Sequence, residues 1–305
     1  MDRFRGDRLP VLAELFSEPF GARAYNQEAS MLVTRYLSND LFAGKTVFIT
    51  GGSSGINLGV AKNFAALGAQ VAICGRTQEK LDTAATELRA LGATVCPIVA
   101  DVRDFAALEA AFARSKAELG PMDVLVCGAA GNFLAPAEKL SANGFKTVID
   151  IDLLGAFNAS RAAFEQLKET QGAIIYISAG MAYMPHAFQV HVGAAKAGID
   201  MLMRNLALEW GRYGIRTNSI VPGPIEGTEG MKRLLSAERY EEFVNAIPLR
   251  RMGTVDDIGQ SAVFLASPLA SYISGCVMVC DGGQNLAGSA LFNIGAEQML
   301  RTQAR

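Results

Sequence analysis

Lys45-Thr-Val-Phe-Ile-Thr50-Gly-Gly-Ser-Ser-Gly-Ile-Asn57 is the stretch from which the fold can be read. Lys45 to Thr50 is a short apolar, β-branched run, the composition of a buried strand. A glycine-rich turn follows, and Ile56 to Leu67 then reads as a helix with a Gly68 stop. A strand that feeds a glycine turn and then a helix is the setting in which such a turn cradles phosphate. Glycines let the backbone turn tightly and approach a pyrophosphate, while the helix N-terminus supplies oriented N–H donors.

Outward from this unit, strand-like and helix-like runs alternate. Strands are expected at Gln70–Cys74, Thr94–Val99, Asp123–Cys127, Ala173–Ile177, Ile215–Val221 and Val277–Cys280. Helices are expected at Gln78–Leu91, Phe105–Leu119, Ser141–Gln166, His191–Trp210 and Val255–Leu265, the last with Thr254 as N-cap and an acidic first turn. The alternation predicts an α/β fold, a Rossmann-like doubly wound parallel sheet in one domain over residues 42–286. Residues 1–41 form an extension of helical character and 287–305 a C-terminal tail. Residues of about 225–250, after Pro222-Gly-Pro224, break the alternation and are expected to form a small helical lid over the substrate.

Composition excludes several classes. Half of the 305 residues are apolar and 19% are charged, which argues against disorder. A net charge of -2 gives no general attraction to nucleic acid or to anionic membranes. The five cysteines and two histidines lack metal-ligand spacing, so no metal is expected. With no 18-residue apolar run and no secretion-signal pattern, a soluble intracellular protein is expected.

The motifs appear in an order that resembles the short-chain dehydrogenase/reductase family. Thr50, Gly51 and Gly55 match its glycine loop, although Asn57 stands where the pattern has a third glycine and is expected to crowd the helix against the sheet. The resemblance implies cofactor contacts from Gly51, Ser53, Ser54, Gly55 and Ile56 in this loop, and from Asp101 and Ala129. It also implies contacts from Pro222, Gly223 and Ile225, which match the loop that wraps the nicotinamide, and from Lys196. Arg76, at the end of the second strand, points to NADP(H), because a guanidinium can hold a 2′-phosphate where an acidic residue would favour NAD.

The family's usual catalytic pair is Tyr and Lys at i and i+4, so that the ammonium on the same helix face lowers the pKa of the phenol. Here Lys196 is present, but Val192 stands at the tyrosine position and Ala179 at the usual serine. The chain therefore resembles a nicotinamide-dependent reductase unfitted for ordinary carbonyl chemistry. Ala129-Ala-Gly-Asn-Phe-Leu134, Gln189-Val-His191 and Ser267-Pro-Leu-Ala-Ser-Tyr272 resemble the 2,4-dienoyl-CoA reductase branch, most closely its peroxisomal type, which lacks the same two residues.

That likeness implies three catalytic residues: Asn132 as donor to a thioester oxygen, and Asp152 with Lys196 ordering a water that protonates carbon. Asp150, two residues from Asp152, would point elsewhere on a helix. Arg103, Phe133, Ser141, Asn143 and Arg233 match positions that face an acyl-CoA substrate. Two alternatives stay open, a reductase of a 2-enoyl thioester or other activated alkene, and an inactive dinucleotide-binding sensor or scaffold. Tyr183 is a weaker substitute acid, Ser178 either a substrate contact or a solvent-facing strand end, and His186 and His191 surface or packing residues. The family's habit implies a homotetramer formed through Ser141–Gln166 and His191–Trp210. Thr302-Gln-Ala-Arg305 does not resemble a peroxisomal address, so a cytoplasmic setting is expected.

Overall fold

The computed structural model describes Thr34, residues 37–228, Met231 and residues 240–289. The expected alternation is found. Strands β1 (Thr46–Thr50), β2 (Gln70–Gly75), β3 (Val95–Val99), β4 (Met122–Cys127), β5 (Ala173–Ile177), β6 (Arg216–Pro222) and β7 (Val277–Cys280) form one sheet in the order 3-2-1-4-5-6-7. All six neighbouring pairs are parallel. The helices are α1 (Gly55–Ala66), α2 (Gln78–Arg89), α3 (Phe105–Leu119), α4 (Ala142–Val148), α5 (Gly155–Thr170), α6 (Val190–Trp210), α7 (Tyr240–Ala246) and α8 (Val255–Ala266).

Successive strand side chains point to opposite faces, and each face has its own core. Val47, Ile49, Ile73, Val126 and Ile175 pack on the α1 and α8 side. Phe48, Ala72, Leu125 and Tyr176 pack with residues of α3, α5 and α6, and Phe48 meets Phe112 edge-on at 4.5 Å. Both faces of the strands are covered, which is why β1 and β5 read as unbroken apolar runs. The sequence order reverses between β1 and β4, so the carboxyl ends of these strands open the crevice in which such folds bind ligands.

Local signals set the helix ends. Thr254 accepts from the Asp257 N–H while the Asp257 carboxylate accepts from the Thr254 N–H, a complete capping box at the start of α8. Asp104 likewise caps α3 through the Ala107 N–H at 3.0 Å.

One expected helix differs. Ser141–Gln166 is divided into α4, a π-helical turn at Ile149–Leu154, and α5. A widened turn adds residues without breaking the apolar pattern, so the periodicity cannot show it. Where the substrate lid is expected, Ile225 pairs with Gly253 at its base and α7 is helical. Residues 229–230 and 232–239 lie outside the described residues, and with them Arg233.

Candidate active site

The crevice at the strand ends carries the glycine loop. Gly51 and Gly55 both hold left-handed backbone, with φ of 69° and 57°, which a side chain would strain. Ser54 is the N-cap of α1, and its side chain makes no cap bond to the first N–H groups of the helix. The Thr50 hydroxyl accepts from the Gly128 N–H at 3.1 Å and the Ala129 N–H at 3.3 Å, and donates to the Val126 carbonyl. It thereby ties the loop to the segment after β4. The Asn57 side chain lies against this segment, and its amide donates to the carbonyls of Gly128 at 2.8 Å and Gly51 at 3.3 Å. Uncapped donors, left-handed glycines and a close second loop fit a dinucleotide pyrophosphate.

The rest of the expected cofactor set lies around this cradle. Arg76 follows the end of β2 and is exposed. Asp101 forks with Arg103, with a shortest contact of 2.6 Å, and this guanidinium holds the Asp101 carboxyl below the ordinary range. An expected cofactor contact and an expected substrate contact are thus held together on one rim. Pro222 ends β6, and the Gly223 N–H donates to the Cys280 carbonyl at 2.9 Å. Ile225 is 2% exposed and packs in the core, which leaves only its backbone for a ligand. A cavity of about 500 Å³ adjoins this loop, lined by Pro224, Ile225, Pro248, Leu249 and Asp281 among others; neither Asp152 nor Lys196 lines it.

At the centre of the crevice the structure joins Asp152 and Lys196. Asp152 comes from the π-helical turn and Lys196 from α6, with Nζ 3.2 Å from Oδ2 and side chains 0% and 8% exposed. Lys196 also donates to the Ile177 carbonyl at 3.0 Å, and the other Asp152 oxygen accepts from the Gly131 N–H at 2.7 Å. Asp150 turns away and pairs with Lys146. Val192 is 3% exposed and packs with Val148 and Ala195, so a small apolar cluster occupies the position of the missing phenol.

Asn132 follows Gly131 and is exposed. Its loop is held at three places: by Asp152 at Gly131, by the Phe133 ring 4.4 Å from the His191 ring, and by the Ala135 N–H donating to the Phe188 carbonyl at 3.0 Å. Phe188 holds φ of 66°, a costly conformation for a bulky residue. Residue order gives no signal for the Phe188 latch or for the Ile177 carbonyl under Lys196, since both arise from packing of distant segments.

Other expected residues take plainer positions. Ser141 is the N-cap of α4, accepting from the Gly144 N–H at 3.0 Å, and Asn143 is exposed beside it. Tyr183 is 52% exposed, and its hydroxyl accepts from the Asn285 amide at 2.6 Å. Burial raises the pKa of that hydroxyl. His191 is fully buried against Phe133, and His186 is exposed. Ser178 is 3% exposed, so it does not face solvent. Among the described residues there is no cluster of His, Cys, Asp and Glu that could hold a metal, and no helix long and apolar enough to cross a membrane.

A family model described as enoyl-(acyl carrier protein) reductase matches residues 51–285. The chain is 45% identical over 248 residues to the peroxisomal 2,4-dienoyl-CoA reductase of Saccharomyces cerevisiae, named as (3E)-enoyl-CoA-producing, covering 80% of this chain and 85% of that one. It is 43% identical over 244 residues to a probable 2,4-dienoyl-CoA reductase of Bacillus subtilis, named as (2E)-enoyl-CoA-producing, covering 79% and 96%. Among solved structures, a short chain dehydrogenase from Bacillus anthracis superposes with a TM-score of 0.72 at 40% identity, covering 79% and 96%.

Proposed function

Because the chain belongs to the short-chain dehydrogenase/reductase family, we propose that it reduces 2,4-dienoyl-CoA to 3-enoyl-CoA with NADPH, as a step in the β-oxidation of unsaturated fatty acids. The observation that carries this reading is the buried Asp152–Lys196 pair, tied to Gly131 next to Asn132, where the family's phenol gives way to the packed Val192.

A bound nicotinamide cofactor would supply a hydride for the δ-carbon of the conjugated thioester. Charge then develops on the thioester oxygen, and Asn132 donates a hydrogen bond to it. Lys196 would hold the nicotinamide ribose and, with Asp152, position a water whose proton goes to the α-carbon, the hydroxide left behind taking a proton from solvent. Since the final proton goes to carbon, no acid fixed on the oxygen is required, which is why Val192 and Ala179 are compatible with turnover. Phe133 lies beside the reacting end of the acyl chain, while Arg103 and Arg233 hold the phosphates of the CoA tail. Arg76 contributes preference for the 2′-phosphate.

A homotetramer belongs to the same proposal. Phe157 on α5 and Met201 and Leu208 on α6 are 45%, 54% and 84% exposed, the apolar surface that a neighbouring copy would cover. A cytoplasmic setting is part of it too, and cell fractionation tests it.

The deciding experiment is NADPH oxidation with 2,4-decadienoyl-CoA beside 2-decenoyl-CoA and a panel of ketones, with the product identified. Turnover of the dienoyl thioester to a 3-enoyl product is expected. A γ-carbon proton and a 2-enoyl product would correct the regiochemistry. Turnover of 2-decenoyl-CoA with the dienoyl thioester inert would shift the assignment to a 2-enoyl reductase. Inertness toward all of them, with dinucleotide still bound, would leave the sensor reading.

A further inference from the structure

We propose that Asn57 is a positioning residue: it clips the cofactor loop to the loop that carries Asn132, and Gly128 is its matched partner. Asn57 is the third residue of α1, from which a side chain can reach back over the start of the helix. Both of its amide hydrogens are used on backbone carbonyls, at 2.8 Å to Gly128 and 3.3 Å to Gly51. Thr50 takes the N–H groups of Gly128 and Ala129 from the other side. The peptide group at Gly128 is therefore held at its carbonyl and at its amide by residues of the β1–α1 unit.

The fit between the two residues is steric as well as polar. A Cβ on Gly128 would lie 2.1 Å from Asn57 Oδ1 and 2.4 Å from its Cγ, well inside any real contact. Asn57 Oδ1 is itself buried and has no hydrogen-bond partner. The side chain has room only because residue 128 has none. Asn57 stands where the glycine loop's pattern has glycine, and Gly128 is the compensating loss of a side chain 71 residues along the chain.

The segment from Gly128 leads through Ala129 and Ala130 to Gly131, whose N–H is held by Asp152, and then to Asn132. A displacement of the phosphate-binding backbone at Gly51 thus reaches the proposed oxyanion donor through one side chain and four residues. The inference rests on the proposed reading only for the role of Asn132. The clip itself does not depend on what the substrate is.

The test is a double-mutant cycle of Asn57→Gly and Gly128→Ala, read by thermal unfolding and by calorimetric titration of NADPH and NADH without thioester. Asn57→Gly restores the pattern glycine but deletes both amide bonds. It should weaken dinucleotide binding by about 3- to 10-fold, the size of one net hydrogen bond. It should also lower kcat with 2,4-decadienoyl-CoA several-fold at saturating cofactor, with little change in melting temperature. Gly128→Ala should melt far lower than the parent, or fail to fold, in the native background, and be tolerated in the Asn57→Gly background. Equal damage from Gly128→Ala in both backgrounds, or an Asn57→Gly enzyme with parental affinity and kcat, overturns the proposal. If the binding and melting results hold while the dienoyl thioester is not turned over, the clip stands and the functional reading falls.

Discussion

Replacing Asp152 by Asn keeps the shape of the side chain and an acceptor for the Gly131 N–H, but removes the charge facing Lys196. The pair lies at 3.2 Å with side chains 0% and 8% exposed, so among the described residues the remaining ammonium would keep the Ile177 carbonyl at 3.0 Å. Removing one member of a buried pair costs about 3–5 kcal/mol, because the other stays desolvated and uncompensated. For a domain of this size 1 kcal/mol moves the melting point by about 2–4 °C, so a drop of roughly 6–20 °C is expected. Asp152→Ala also deprives the Gly131 N–H of its 2.7 Å acceptor, adding about 1–3 kcal/mol. Turnover should fall about 10²–10⁴-fold in both variants, since neither can hold or pass a proton at this place. Differential scanning fluorimetry and NADPH oxidation, run below the lowered melting point, separate the two effects. An Asn variant that turns over within about threefold of the parent would refute the proton role. If its melting point were also unmoved, the worth of the buried pair would be wrong as well.

Asn132→Ala should leave the melting point nearly unchanged, because the residue is exposed, yet lose about 10²–10³-fold in kcat through the missing oxyanion donor. Arg76→Ala should raise the KM for NADPH by the equivalent of about 1.5–3 kcal/mol and leave NADH almost unaffected; equal losses with both cofactors would contradict the 2′-phosphate role. Tyr183→Phe should be nearly silent in steady-state assays, since its hydroxyl serves Asn285 at a half-exposed surface. Val192→Tyr should give no useful ketone reduction and should destabilise by about 1–3 kcal/mol, because the site is packed against Val148 and Ala195. Burial pushes the Asp257 carboxyl up, but hydrogen bonds from Arg251 and Thr254 outweigh it and hold the pKa below that of a free carboxyl. The stabilisation is therefore present above about pH 4 and lost as pH falls through the folded value. A thermal melt titrated downward from pH 5 should show this loss reduced in Asp257→Asn.

Much of this protein is legible in the order of its residues. Strand β1, the glycine loop and α1 follow from a local apolar run and a local turn, and seven strands emerge because each is a short apolar segment between turn signals. Thr254 and Asp257 announce the start of α8, since a capping box spans only four residues. The absence of a tyrosine at Val192 is likewise a matter of counting four residues back from Lys196. These features are local, and backbone geometry translates spacing into direction.

What tertiary structure decided depends on segments far apart in the chain. The π-helical turn at Ile149–Leu154 is invisible to periodicity, yet it is the element from which Asp152 reaches Lys196. The Ile177 carbonyl under Lys196 and the latch between Ala135 and Phe188 need β5, α6 and two loops to be assembled first. Asn57 shows the difference most plainly. Its sequence context marks it as a misfit in a glycine loop, because a local pattern records only what usually fits there. The space it occupies exists because Gly128, at the end of a neighbouring strand, has no side chain, and only the folded sheet brings the two together.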